Sequence, residues 1–338
     1  MQHLAIDLGG RESQICVRGP KEEILEERRI PTKRLGEYLA KQPHSRVILE
    51  TSAEAFAVAD LARHAGHDVR VVPSTLAPSL GVGAHGIKTD RRDAQALSAV
   101  SCRVDLRSVH SPSEQARAWR TLCNARDALV SSRTKLTNTA KSQLRCRLVL
   151  TNKRRSAATP EQIRTLWTEL GGSVPPHVER ELRVIEMLDA QILEADKEIR
   201  QLVKKHEICP RLRTAPGVGP LTAMRYVATL DDVTRFTSAH QVESYLGLTP
   251  GEDSSSRRTR RTHLTKAGSP QMRWLLVQAA WTAMRCAPKD PMVVWAIQVA
   301  ERRGKRIAAV ALARKLAGIL FAMWRDGTTY NAKRGTAD

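Results

Sequence analysis

The chain has 338 residues, 41% of them hydrophobic, enough apolar material for packed cores and too much for a disordered tail. Lysine and arginine number 55 against 35 acids, a formal charge of +20 that calls for a polyanionic partner, nucleic acid first among candidates. The six cysteines, at 16, 102, 123, 146, 209 and 286, form no C-x-x-C pair. That argues against a zinc ribbon or disulfide framework and for reduced thiols in a cytoplasm. The start runs straight into Leu4-Ala5-Ile6 without a basic leader, so no signal peptide is expected.

In chain order, HLAID, SQICVRG and EEILEERRI read as three strands with tight connections. A helix near 31–41, a strand RVILE, a helix near 54–65 and a strand DVRVV follow. Two helical stretches then close the region, the second being TDRRDAQALSAV. The pattern βββαβα, then strand and helix, predicts an α/β domain over 1–108. Its first three strands should form an antiparallel meander, and the later ones, reached by helical crossovers, should be parallel.

Residues 109–208 change character. Leu122, Leu129 and Leu136 recur at heptad spacing, and Leu182, Ile185, Leu188, Ile192, Ala195, Ile199 and Leu202 continue an apolar seam after an interrupted loop. A coiled coil is expected, its helices pairing as a hairpin within one chain or between protomers. Residues 209–338 read as a helical, arginine-rich domain. Its ending, Ile307 to Trp324, is interrupted by Arg314 and Lys315 and reads as a buried amphipathic helix rather than a membrane span. Trp119, Trp274, Trp281, Trp295 and Trp324 fall in helical patterns and are expected in cores rather than as base-stacking platforms.

Four acids in the first region carry chemistry when taken together. Asp7 closes the first strand and Glu50 closes the strand after the first helix. Thr89 caps a helix whose opening turns hold Asp90 and Asp93 on one face. Acids from two strand ends and one helix suit a pair of divalent cations for phosphoryl transfer. Singly, each reads as dipole stabilisation or solvated charge, and AIDLGG alone also opens sugar kinases of the actin-like class. In the last region Ser254-Ser255-Ser256 precede Arg257, Arg258, Arg260 and Arg261, a polar loop that by itself need be no more than flexible. Gly217 and Gly219 in Pro216-Gly217-Val218-Gly219 suit either close approach to a phosphate or a simple helix–helix turn. His263 and Lys266 extend the basic face as phosphate contacts.

Asp7, Glu50 and KTDRRDA, with PGVGPLTA, RFTSAHQVESYLGLTP, HLTKAGSPQMRWLL and the GTTYN ending, resemble the DEDD-type transposases of the insertion-sequence 110 family, in its insertion-sequence 1111-like branch. The likeness spans nearly the whole chain. It implies an RNase H-like domain similar to the RuvC resolvase, a coiled coil and a mostly helical transposase domain. It also implies a Mg²⁺ (or Mn²⁺) site on Asp7, Glu50, Asp90 and Asp93, and a serine that becomes joined to DNA. Counted from Pro250, that serine is Ser255, although Ser256 stands where the family has glycine, which keeps Ser254 and Ser256 open. The partners implied are donor and target DNA, a structured guide RNA, and further copies of the chain as a dimer assembling to a tetramer, in a cytoplasmic, nucleoid-associated setting. A metal-only, RuvC-like nuclease without a covalent intermediate is the alternative. A non-catalytic coiled-coil protein that binds nucleic acid is the third reading.

Overall fold

The computed structural model describes residues 1–76, 89–147, 159–255 and 258–332, with the backbone alone described at 253–255 and 258–262. Of the two helical stretches expected to close the first region, the one ahead of TDRRDAQALSAV falls on residues 77–88, outside the described residues, as do Ser256 and Arg257. The chain divides into two compact units, Met1–Pro112 and Ser113–Asp338.

The first unit is built on a five-stranded sheet, among the described residues, of order β3-β2-β1-β4-β5. Its strands are β1 (Gln2–Asp7), β2 (Glu12–Arg18), β3 (Ile24–Pro31), β4 (Ser45–Glu50) and β5 (Asp68–Val72). The first three form the expected antiparallel meander, and β4 and β5 pair in parallel with β1 and β4 respectively. Side chains alternate across a strand, and the two faces have different covers. Leu4, Ile6, Val47, Leu49, Val69 and Val71 form one core with α1 (Leu35–Leu39) and α2 (Ala55–His64). Ala5, Ile48 and Val72 face the other way, onto Leu97 of α3 (Asp90–Arg103). The edge strand β3 carries Glu26, Glu27, Arg28 and Arg29, charges that discourage pairing with a second sheet.

The second unit opens with α4 (Glu114–Arg145), α5 (Pro160–Glu169) and α6 (Pro176–Lys205). Arg126 pairs with Asp196 and Arg133 with Asp189, while Gln143 reaches Glu181. As the number rises on α4 it falls on α6, so the two helices run antiparallel and bury their seam within one chain. Ile163 and Trp167 of α5 close the far end against Leu144, Val178, Leu182 and Ile185.

The rest comprises α7 (Cys209–Leu212), α8 (Pro220–Leu230), α9 (Ala239–Tyr245), the hairpin β6 (Pro250–Ser255) and β7 (Arg258–Leu264), and α10 (Pro270–Cys286), α11 (Pro291–Arg303) and α12 (Lys305–Arg325). Helix α12 is long and apolar enough to cross a membrane, with mean hydropathy 1.7. In this fold it is the core helix: Ala308, Ala309, Leu312, Ala313, Leu316, Ala317 and Leu320 are fully buried. The Tyr226 hydroxyl on α8 donates to the Ala317 carbonyl at 2.7 Å, tying the two helices.

One expectation fails at Trp274, which is 59% exposed. Helix α10 buries the stripe Met272, Leu275, Leu276, Ala279, Ala280 and Ala283, and Trp274 lies about 100° away from Leu275 around the helix. The other correction is the hairpin, which a reading for helical periods passed over. EDSSSRRTRRTHL has no apolar period to seed a helix, and its backbone pairs as an antiparallel ladder in which Glu252 stands opposite Arg261 and Asp253 opposite Arg260.

Candidate functional site

The geometry of the first unit sets Asp7 and Glu50 side by side on the sheet, with Asp93 on the helix that covers the same face. Ile6 pairs with Leu49 in the parallel ladder, so Asp7 and Glu50 are the next rung, at the C-terminal ends of neighbouring strands. Ala5 and Ile48, two residues earlier on each strand, face α3. Alternation therefore puts Asp7 and Glu50 on the α3 side as well. Both are half-buried.

Helix α3 crosses this face antiparallel to β1. His3 Nδ1 lies 2.8 Å from Ser101 Oγ, which fixes the level of the helix against the strand. From His3 to Asp7 the strand advances about 13 Å. From Ser101 back to Asp93 the helix covers about 12 Å. Asp93 thus stands at the level of Asp7, on the same helix face as Leu97 one turn on, and is 3% exposed. The register is held by other contacts along the helix. The Arg18 Nε–H donates to Ser98 Oγ at 3.0 Å, and Arg91 and Gln95 both donate to Glu27, whose carboxyl they hold below the usual carboxylate range. Thr89 caps the helix, its hydroxyl oxygen accepting from the Arg92 amide at 3.4 Å.

Asp90 is placed differently. Its side chain is 63% exposed and pairs with Arg29 of β3 at 3.0 Å, and Arg29 also reaches Glu12 at 3.8 Å. Among the described residues no group of three or more His, Cys, Asp or Glu side chains is arranged to hold a metal ion. The donor chemistry fits one nonetheless: Asp7, Glu50 and Asp93 are carboxylates sharing one face and one level, the hard oxygen set that suits Mg²⁺ or Mn²⁺.

In the second unit the ladder pairs Ser254 with Thr259 and Ser255 with Arg258. Ser255 is therefore the last residue of β6, paired with Arg258 at the start of a strand that also carries Arg260 and Arg261. His263 is exposed near the far end of β7, and Lys266 follows in the left-handed region at φ 53°.

Two family profiles match the chain. One, described as a transposase and defined by the DEDD type of the IS110 group, matches residues 4–146. The other, the transposase IS116/IS110/IS902 family, matches residues 209–292. The transposase for insertion sequence element IS1111A of Coxiella burnetii is 31% identical over 249 residues, covering 72% of this chain and 68% of that protein. The chain belongs to the IS110 family of transposases. The transposase for insertion sequence element IS1328 of Yersinia enterocolitica is similar along almost the whole length, 27% identical over 337 residues, or 97% of this chain and 98% of that one. As a member of this family the protein is an enzyme of DNA transposition and recombination.

The matched segments of this transposase contain every candidate position, the acids in the first and the glycines, serines and arginines in the second. The two motif glycines have different surroundings. Gly217 sits at φ +80°, and a Cβ there would lie 2.1 Å from the Ala279 carbonyl oxygen of α10, so its place is set by close packing against that helix. Gly219 caps α8 and faces open space. Sequence reading missed Arg29, whose pairing with Asp90 is non-local and has no sequence signature. It also missed Arg225, 4% exposed, although a lone arginine inside the apolar run PLTAMRYVATL is a visible signal.

Proposed function

We propose that this transposase cuts and rejoins DNA through a transient phosphoserine at Ser255, assisted by a divalent cation on Asp7, Glu50, Asp93 and Asp90 in an RNase H-like domain. The observation that carries the reading is the shared rung of Asp7 and Glu50 with Asp93 level above them. Carboxylate oxygens are the hard donors that a divalent cation such as Mg²⁺ takes. Asp90 completes the set by exchanging its exposed Arg29 partner, a surface pair worth no more than about 1 kcal/mol. A cation bound there supplies charge for a phosphoryl oxygen and eases deprotonation of an attacking hydroxyl.

The serine chemistry balances as an exchange. The Ser255 oxygen attacks phosphorus, a P–Oγ bond forms, and the bond to the leaving deoxyribose oxygen breaks. The serine proton is lost to a nearby base and the leaving oxygen takes one up. Attack by a second deoxyribose hydroxyl on the phosphoserine then reseals a strand and restores the serine, so no nucleotide cofactor is consumed. Arg258, Arg260 and Arg261 on the opposing strand supply positive charge for the phosphate and its transition state, with Arg257 and Lys266 adding to the basic surround. The family resemblance supports a guide RNA and a dimer assembling to a tetramer, in which the acids of one copy meet the serine of another.

Strand exchange on donor and target plasmids tests the acids. Asp7→Asn, Glu50→Gln and Asp93→Asn should each lower product about a hundredfold or more, and chelation of Mg²⁺ should do the same, with circular dichroism unchanged. Exchange that survives Asp7→Asn at the wild-type level contradicts the reading.

A further inference from the structure

A pocket of about 480 Å³ opens in the second unit beside the base of the serine hairpin, within the 300–1,000 Å³ range of small-ligand sites. Its walls come from both flanks of the hairpin, Ser244 and Tyr245 before β6 and Ala267, Ser269 and Gln271 after β7, together with Arg120, Asn124 and Arg225 from α4 and α8.

The charge of this pocket is positive and incompletely answered. Arg225 is 4% exposed, donates to Asn124 at 3.0 Å and Asp127 at 2.7 Å, and its buried Nε meets no acceptor. Arg120 spends its donors on the Ala228 and Thr229 carbonyls at 2.8 and 3.2 Å and forms no ion pair with a carboxylate among the described residues. Burial holds its guanidinium below its ordinary pKa, an effect that Tyr245 and Asp231 oppose only in part. Helix α10 begins here. Pro270 has no N–H and the Met272 amide is taken by the Ser269 hydroxyl, which leaves the Gln271 amide as the free donor of a positive helix end. Tyr245 is 39% exposed, its ring held edge-on by Phe236 at 5.2 Å and under Arg235 at 5.3 Å.

Arginines and a helix start recognise a phosphate, and a fixed, half-exposed aromatic beside them offers a face to a base. We propose that this pocket is a subsite for one unpaired, phosphodiester-linked nucleotide, its phosphate toward Arg120, Arg225 and the start of α10, its base against Tyr245. The chemistry is shared by DNA and RNA, and the position beside the serine hairpin favours a DNA strand about to be cut. The choice of DNA rests on the serine chemistry proposed above, whereas the subsite itself concerns binding alone.

The test uses the full chain and short fluorescent single strands of DNA and of RNA with the same sequence. Arg225→Gln would remove a buried guanidinium and its pair with Asp127 and endanger the fold, so the main variant is Gln271→Glu. An acid there suits the helix start and leaves the melting temperature unchanged or higher, yet it places a negative charge at the phosphate position. Binding should weaken about tenfold or more, Tyr245→Ala should weaken it independently, and 5-iodouracil strands should photocrosslink to Tyr245. A preference of the crosslink for DNA or for RNA names the strand that occupies the subsite. Wild-type binding by Gln271→Glu, or crosslinks that all map elsewhere, overturns the proposal whether or not strand exchange depends on Ser255.

Discussion

Gly217→Ala separates a packing role for the PGVG turn from a direct role in gripping DNA. At φ +80° an alanine takes up a left-handed conformation costing about 1–2 kcal/mol. Its Cβ would meet the Ala279 oxygen at 2.1 Å and the Ala283 nitrogen at 2.9 Å. Both are helix backbone atoms, which yield less readily than a flexible side chain, so relieving the overlap adds about 1–3 kcal/mol. A loss of about 3 kcal/mol corresponds to a fall of roughly 6–12 °C in the melting of a unit this size. Gly219→Ala is the control. A Cβ there meets nothing within 4 Å, and losing glycine at a helix cap costs less than about 1 kcal/mol. Differential scanning calorimetry of the two variants decides the matter. If Gly217→Ala melts within about 2 °C of wild type while DNA affinity collapses, the packing argument is wrong and the turn serves the nucleic acid directly.

Three further outcomes follow from the same contacts. Glu27 has its pKa depressed by Arg91 and Gln95, so its contribution is present above the unfolded value of about 4.3 and lost as pH falls through the lower folded value. Glu27→Gln should accordingly flatten the acid limb of a plot of urea midpoint against pH, and an unchanged limb would remove Glu27 from the account. Burial pushes the Cys123 thiol up to about 11 and the Cys209 thiol up to about 12, whereas Cys146 and Cys286 are exposed. Native protein treated with a maleimide should label at Cys146 and Cys286 first, as read by peptide mapping; early labelling of Cys123 or Cys209 would contradict the packing described. Tyr226→Phe removes the hydroxyl that α12 accepts at Ala317 and should destabilise the second unit by about 1 kcal/mol in chemical denaturation.

The sheet was legible in the sequence because its strands carry strong local patterns. Leu4, Ile6, Val47 and Leu49 alternate with Ala5 and Ile48, and that alternation already assigns Asp7 and Glu50 to one face. Thr89 announced the start of α3, and its hydroxyl caps the helix as expected. The heptad leucines showed that α4 and α6 need partners without naming them. The charge pairs Arg126–Asp196 and Arg133–Asp189 that reveal the antiparallel pairing link residues distant in sequence. The hairpin escaped because a polar two-stranded ladder leaves no apolar period. The pairing of Asp90 with Arg29 escaped because it depends on how an edge strand meets a helix start. Arg225 was visible as an anomaly in an apolar helix, but its meaning needed the pocket around it.

The account turns on whether DNA becomes joined to Ser255. Full-length protein co-expressed with the DNA flanking its gene, so that any encoded RNA is present, would be mixed with donor and target DNA and Mg²⁺, then resolved on denaturing gels. The prediction is a protein–DNA adduct in wild type that persists in Ser254→Ala and Ser256→Ala, disappears in Ser255→Ala, and fails to form in Asp7→Asn. Cleaved DNA with no adduct in any of them would contradict the serine mechanism and leave a nuclease that uses the acids and water alone.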